Sequence, residues 1–268
     1  MDIRHRNQRG IEPGAEGSSG LPAPLVARRA RVRLLLAALY GAATITAGLP
    51  ALADDRLPTA YERGVMETTG FLDAHPDMRY RIQGQDALHA GRPSVALDRF
   101  RQAALYADKV SQAMIAEMLW KGEGAEIDRA FAYAWMDLAA ERGYEGFVVH
   151  RERYWARLDE TERARAIDIG GSLYEKYGDA VARPRLARVM HRARQRTVGG
   201  RISMLGRYSD LFVRSDDGTT RVFQMNEYYS ARLWDESRYQ AIQDARWERT
   251  PNVDVRAIEQ VGDTESDE

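Results

Sequence analysis

From Tyr80 to about Tyr177, small and apolar positions recur at helical spacing, as in Ala113, Ala116, Leu119 and Trp120, or Phe131, Trp135, Leu138 and Ala139. Breaks containing glycine fall at Ala90-Gly91-Arg92-Pro93, Gly122-Glu123-Gly124 and Glu141-Arg142-Gly143, so the pattern predicts helices of about a dozen residues joined by short turns. Pro93 suits a first helical turn, where its missing N–H costs nothing. Asp128 suits an N-cap before Arg129–Ala140. The expectation is a series of short α-hairpins.

The series carries an internal repeat. Ala103-Ala104 recurs 36 residues later as Ala139-Ala140, Phe100 precedes the first pair as Met136 precedes the second, and Ala96 maps on Ala132. Two helices per unit at a period in the mid-thirties is the signature of a solenoid, because one α-hairpin cannot cover its own apolar face. The stretch Ile115–Asp128, followed by Ala132, Trp135, Ala139-Ala140 and Gly143, resembles a Sel-one-like repeat, a relative of the tetratricopeptide repeat. The spacing is matched without a gap. Departures are Ala116 at the family's first glycine, Leu119 for tyrosine and Ala125 for valine. A weaker copy runs through Gly84, Ala87, Ala96 and Ala103-Ala104, with a loop shorter by four and Arg99 at the tryptophan position, and Glu145–Tyr177 offers a third, degenerate hairpin. Ala116, Ala139 and Ala140 let helices approach, Trp135 fills the space between them, and Gly122 and Gly124 supply positive φ, so Trp135, Met118 and Met136 read as core. The resemblance implies a protein-interaction and assembly role, with Gln112, Ile115 and Leu119 on a concave partner-binding side.

Beyond the repeats the character changes. Val181–Ser209 holds eight arginines and His191 without one acid; Arg185, Arg188, Arg192 and Arg196 share a helical face opposite Leu186, Val189 and Ala193. Arg201–Leu205, Leu211–Arg214 and Thr219–Met225 read as extended, the last two forming a hairpin around Ser215-Asp216-Asp217-Gly218. Asn226–Arg249 returns to helical spacing, and Gly262–Glu268 is an acidic, disordered tail. The predicted fold class is therefore mainly α: a short solenoid over 80–180, preceded by a linker or helix over 54–79 and followed by a small α+β extension over 181–261.

The first 53 residues read as a removable leader. Arg28, Arg29, Arg31 and Arg33 precede the apolar run Leu34–Leu49, and Ala51-Leu52-Ala53 supplies a cleavage site before Asp54. Sixteen residues span roughly 24 Å as a helix, short of the roughly 30 Å hydrocarbon core, so cleavage is expected in place of a stable anchor. The long segment ahead of the arginines fits an initiation site assigned too far upstream, near Leu25 or Val26. The location implied is periplasmic or secreted, in a bacterial envelope.

Composition narrows the chemistry. Cysteine is absent, which excludes disulfides, thiolate metal sites and cysteine nucleophiles. The 39 basic and 40 acidic residues leave a net charge of −1, against a whole-protein nucleic-acid binder; without the leader the charge falls to about −5. His75, His89, His150 and His191 have no metal-ligand spacing and read as solvent-facing or capping, and no hydrolase, P-loop or dinucleotide signature occurs. We therefore expect no cofactor and no enzymatic activity. The expected role is an adaptor or scaffold whose partner is another envelope protein; the rival is a binder or processor of an anionic cell-wall polymer acting through the basic, aromatic extension. N-terminal sequencing of the exported protein should return Asp54 as the first residue, and an intact 28–53 segment would refute export by this route.

Overall fold

The computed structural model describes residues 56–198, 210–214 and 219–248; the leader, the stretch 201–205, the turn 215–218 and the acidic tail lie outside them. Two short helices come first, α1 (Ala60–Met66) and α2 (Thr69–Ala74), so the described part of the 54–79 segment is mostly helical from Ala60 onward. A reciprocal capping box between Thr59 and Glu62 starts α1, and the Thr68 hydroxyl caps α2. Then follow α3 (Pro76–His89), α4 (Pro93–Ala104), α5 (Lys109–Lys121), α6 (Arg129–Ala139) and a 3₁₀ turn, Ala140–Arg142.

The repeat is visible in the packing. Helices α4 and α6 begin 36 residues apart, and the paired positions Ala96/Ala132, Phe100/Met136, Ala103/Ala139 and Ala104/Ala140 are all buried. Helices α3 and α5 end 32 residues apart, because the connection Gly122–Asp128 is four residues longer than Ala90–Arg92. That longer loop folds back on the preceding hairpin. Gly124, at φ +78°, lies so close to Pro93 that a Cβ would come within 2.5 Å of its carbonyl. Asp128 accepts the Phe131 amide at 3.0 Å, as an N-cap should, and Arg165 grips its carboxylate with two bonds of 2.7 Å.

Helices α7 (Glu145–Arg157) and α8 (Glu160–Tyr177) form the third unit. Joined by only Leu158 and Asp159, they pack mainly against α6 and little against each other, which is why this unit has lost the repeat pattern. The end of α8 closes over α5 and α6: the Tyr177 ring packs at a tilt on Trp135, centroids 4.7 Å apart, and its carbonyl accepts the Gln112 amide.

Helix α9 (Asp179–Val198) leads to β1 (Asp210–Arg214) and β2 (Thr220–Gln224), an antiparallel hairpin in which Leu211 pairs with Phe223 and Phe212 with Val222. The single helix expected over 226–249 is three pieces, α10 (Met225–Tyr228), α11 (Ala231–Trp234) and α12 (Glu236–Glu248). The chain bends at Ser230 and Asp235 so that Tyr228, Leu233, Trp234, Tyr239 and Ile242 all reach one core. That second core also takes Val65, Met66, Phe71 and Ala74 from α1 and α2, and Leu186 and Met190 from α9. The two ends of the described chain thus share a core, distinct from the repeat core of α3–α8.

One guanidinium joins the two. Arg142 donates to both carboxylate oxygens of Asp179 at 2.7 and 3.0 Å, to Gln240 at 2.8 Å and Asp244 at 3.1 Å on α12, and to the Ala107 carbonyl at 3.1 Å. Beside it the buried ammonium of Lys109 meets Glu141 at 2.6 Å, Asp179 at 3.2 Å and the Leu138 carbonyl.

Gly84 on α3 is a close-approach position, since an added Cβ would sit 2.5 Å from the Phe100 ring. Gly84→Ala should therefore lower stability by roughly 1–3 kcal/mol in urea unfolding through overpacking, although alanine is the better helix former by about 1 kcal/mol. A stabilised variant would show that the ring can step aside.

Candidate functional site

The repeat motif residues are structural. Ala116, Leu119, Ala132, Trp135, Ala139 and Ala140 are buried, Gly122, Gly124 and Gly143 sit at positive φ, and Asp128 is a cap. Gln112 and Ile115 are fully buried as well, which corrects the expectation that they face a partner. The physical reason is the lid formed by the end of α8. Gln112 spends its amide on the Tyr177 carbonyl and accepts from Lys109, so among the described residues the face of α5 at Gln112 is filled.

Helix α9 carries the exposed chemistry. Its buried stripe is Ala182, Leu186 and Met190, with Val189 only half-buried, so the apolar face is rotated from the one the sequence suggested. Arg183 pairs with Glu236 at 2.8 Å. Arg185 turns back and donates to the carbonyls of Leu105 and Lys176, at the C-terminal ends of α4 and α8, where helix dipoles favour a cation. Arg185, half-buried, thus spends its donors on pinning the helix. Arg188, Arg192 and Arg196 remain exposed at four-residue steps, with no ion pair among the described residues, and Arg194 lies beside them.

An open groove of about 550 Å³ runs along this face. Arg188, His191, Arg192 and Arg194 form one wall, and Trp234, Asp235, Glu236 and Ser237 the other. The second wall is already satisfied. Asp235 accepts from the Ser237 hydroxyl at 2.7 Å and the Arg238 amide at 3.2 Å, and these bonds hold its carboxyl below the usual range. Glu236 belongs to Arg183, and the Trp234 indole donates to the Tyr228 carbonyl at 2.6 Å. The arginine wall carries the greater charge: Glu236 is paired with Arg183, while Asp235 is hydrogen-bonded and ionised.

His75, which packs against the wall residue Trp234, is fully buried rather than solvent-facing; His89 and His191 are exposed as expected. The His75 ring stacks on Phe71 at 3.6 Å and approaches Trp234 and Tyr239, while its nitrogens lie 2.8 Å from the Phe71 carbonyl and 3.0 Å from that of Leu233 on α11. Burial pushes its pKa down to about 4 despite both carbonyls. A neutral ring donates to one of them only. Nearby, Asp77 accepts from the Tyr239 hydroxyl at 2.7 Å and leaves its other oxygen unpartnered. Burial, with the Asp108 carboxylate close by, pushes Asp77 up to about 6 against the pull of Arg81. Gln243, likewise buried without partners, lines the same water-sized cavity between α12 and the repeats.

Among the described residues no group of three or more His, Asp or Glu side chains is placed to hold a metal ion, and no helix is long and apolar enough to cross a membrane. Sequence reasoning missed the groove's second wall. The Asp235-Glu236-Ser237 cap was the available signal, hidden inside what read as one continuous helix.

No protein-family model matches the chain, and no curated protein does. Among solved structures it is similar to a protective antigen of uropathogenic Escherichia coli displaying an SLR fold, at 22% identity and a TM-score of 0.36. The match covers 46% of this chain and spans a quarter, 25%, of that one.

His75 and Asp77 have opposite linkage. A depressed histidine loses stability as pH falls from 6.5 towards 4, whereas a raised aspartate gains it as pH falls from about 6 towards 4. Asp77→Asn removes the gain, so between pH 6 and 4 its unfolding free energy should drop more steeply than the parent's, by roughly 3 kcal/mol at most. Parallel pH profiles from urea unfolding would show that Asp77 titrates normally.

Proposed function

We propose that this chain is a non-catalytic interaction protein of the bacterial envelope that captures an acidic partner along α9. The observation that supports this is the row Arg188, Arg192 and Arg196: exposed, unpaired among the described residues, and carried on a helix held from beneath by Leu186, Met190, Arg183 and Arg185. A four-residue step advances about 6 Å along a helix, close to the carboxylate spacing of alternate residues in an extended chain. The helix backbone beneath the row is already formed, so the ordering cost on this side falls on the arginine side chains alone. In this reading the repeat hairpins act as the platform that aims α9, and the leader pattern supports the compartment.

Glycan stacking on the groove is the weaker reading. Trp234 is only 4% exposed and packs against Tyr228, Tyr229 and His75, so its faces are taken. Tyr228 and Tyr239 are buried too; the aromatics dock the extension and present no sugar platform.

Protein lacking residues 1–53 should bind fluorescent poly-L-glutamate, measured by anisotropy, with affinity that falls as salt rises. Replacing Arg188, Arg192 and Arg196 together by alanine should weaken it about tenfold, given ~0.2–1 kcal/mol for each exposed pair. Salt-independent binding, or full affinity in the triple variant, would overturn the assignment; tight binding to purified sacculi with none to poly-L-glutamate would transfer it to a cell-wall polymer.

A further inference from the structure

Charges of opposite sign face each other across the groove, yet among the described residues no ion pair crosses it. Arg188, Arg192 and Arg194 line the α9 side, and Asp235 stands exposed on the other. Of the two acids on that second wall, Glu236 is paired with Arg183, while Asp235 has hydrogen bonds and no ion-pair partner among the described residues. The Ser237 hydroxyl and the Arg238 amide keep the Asp235 carboxyl ionised, the charge of Arg238 being a smaller influence. Both walls are held in place. Helix α9 is fixed by Arg183, Arg185, Leu186 and Met190, and the opposite side by Leu233 in the second core and by the Trp234 indole on the Tyr228 carbonyl. The charges thus line an open slot in place of closing into a salt bridge.

The spacing says what fits between them. In an extended chain successive side chains point to opposite faces, and alternate ones repeat about every 7 Å. Arg188 and Arg192 are separated by about 6 Å along α9, so two alternate carboxylates can meet them while the residue in between points to the other wall. Arg196 lies outside the slot. We propose that the groove takes an extended segment of the partner in which acidic residues alternate with a basic one, the carboxylates meeting Arg188 and Arg192 and the intervening cation meeting Asp235. An all-acidic segment would set a carboxylate against Asp235, so this wall selects among acidic partners. The proposal rests on the acidic-partner reading above and adds what the partner must carry besides its acids.

Asparagine keeps the cap and removes the charge, so Asp235→Asn isolates the carboxylate. The chain from Asp54 onward, which contains every described residue, is titrated at low salt with three probes, followed through the amide shifts of residues 187–196 and 234–238. The probes are end-blocked Glu-Lys-Glu-Lys-Glu, Lys-Glu-Glu-Glu-Lys of the same composition, and poly-L-glutamate. In Asp235→Asn the alternating peptide should bind about two- to fivefold more weakly, the range of one exposed ion pair, and the block peptide should be unaffected. Poly-L-glutamate should bind more tightly, because a repulsion is gone; effects of opposite sign cannot come from a damaged fold. If poly-L-glutamate binds the parent protein but the alternating peptide does not weaken, or both pentapeptides weaken alike, this inference is overturned and the acidic-partner reading stands. Failure of poly-L-glutamate to bind the parent protein would remove that reading and this one with it.

Discussion

A buried guanidinium must be neutralised and fully hydrogen-bonded, and the way Arg142 meets that demand decides how the molecule is assembled. Its donors are divided among Asp179 at the start of α9, Gln240 and Asp244 on α12, and the Ala107 carbonyl before α5. These acceptors come from three separate parts of the chain, so a shift of α9 or α12 strips a buried guanidinium of partners, and losing Asp179 would leave its charge uncompensated at a cost on the order of 3–5 kcal/mol. Lys109 tightens the arrangement by sharing Asp179 and binding Glu141. Burial alone would raise the Asp179 pKa; Arg142 and Lys109 outweigh it and hold the carboxyl below its usual range.

The direction of α9 follows from this. Its first residue is held by the clamp, Arg183 and Arg185 tie its next turns to α12 and to the ends of α4 and α8, and Leu186 and Met190 seat it on the second core. Of the arginines from Arg183 to Arg196, those nearest the helix start hold structure, and those from Arg188 onward are exposed. The repeat hairpins contribute rigidity, with the inner side of α5 filled by its own side chains and by the end of α8.

Much of the hairpin region was legible because helix packing leaves a periodic mark. The offset of 36 between Ala96, Phe100, Ala103-Ala104 and their later partners reappears as equivalent buried positions in α4 and α6, and the shorter loop of the weaker copy appears as the short connection before Pro93. The β-hairpin was legible from alternation. Periodicity failed where a neighbour from far along the chain intervened. Gln112 and Ile115 have the pattern of a solenoid's inner face, but Tyr177 lies over that face. His75 looks like an ordinary polar residue until Phe71, Trp234 and Tyr239 close around it. The helical spacing over 226–249 conceals two bends, because three short helices share the apolar period of one.

The sequence by itself determined the repeat helices, the repeat offset, the glycine turns, the capping residue Asp128 and the placing of Arg185, Arg188, Arg192 and Arg196 on one helix, since each depends on neighbours within a few residues or on a fixed period. Which arginines would be spent inside and which left exposed was decided by the tertiary structure alone. Arg185 and Arg188 are three residues apart with the same chemistry; one meets the carbonyl ends of two helices and the other meets none, and only the crossing of α9 over α4 and α8 makes the difference.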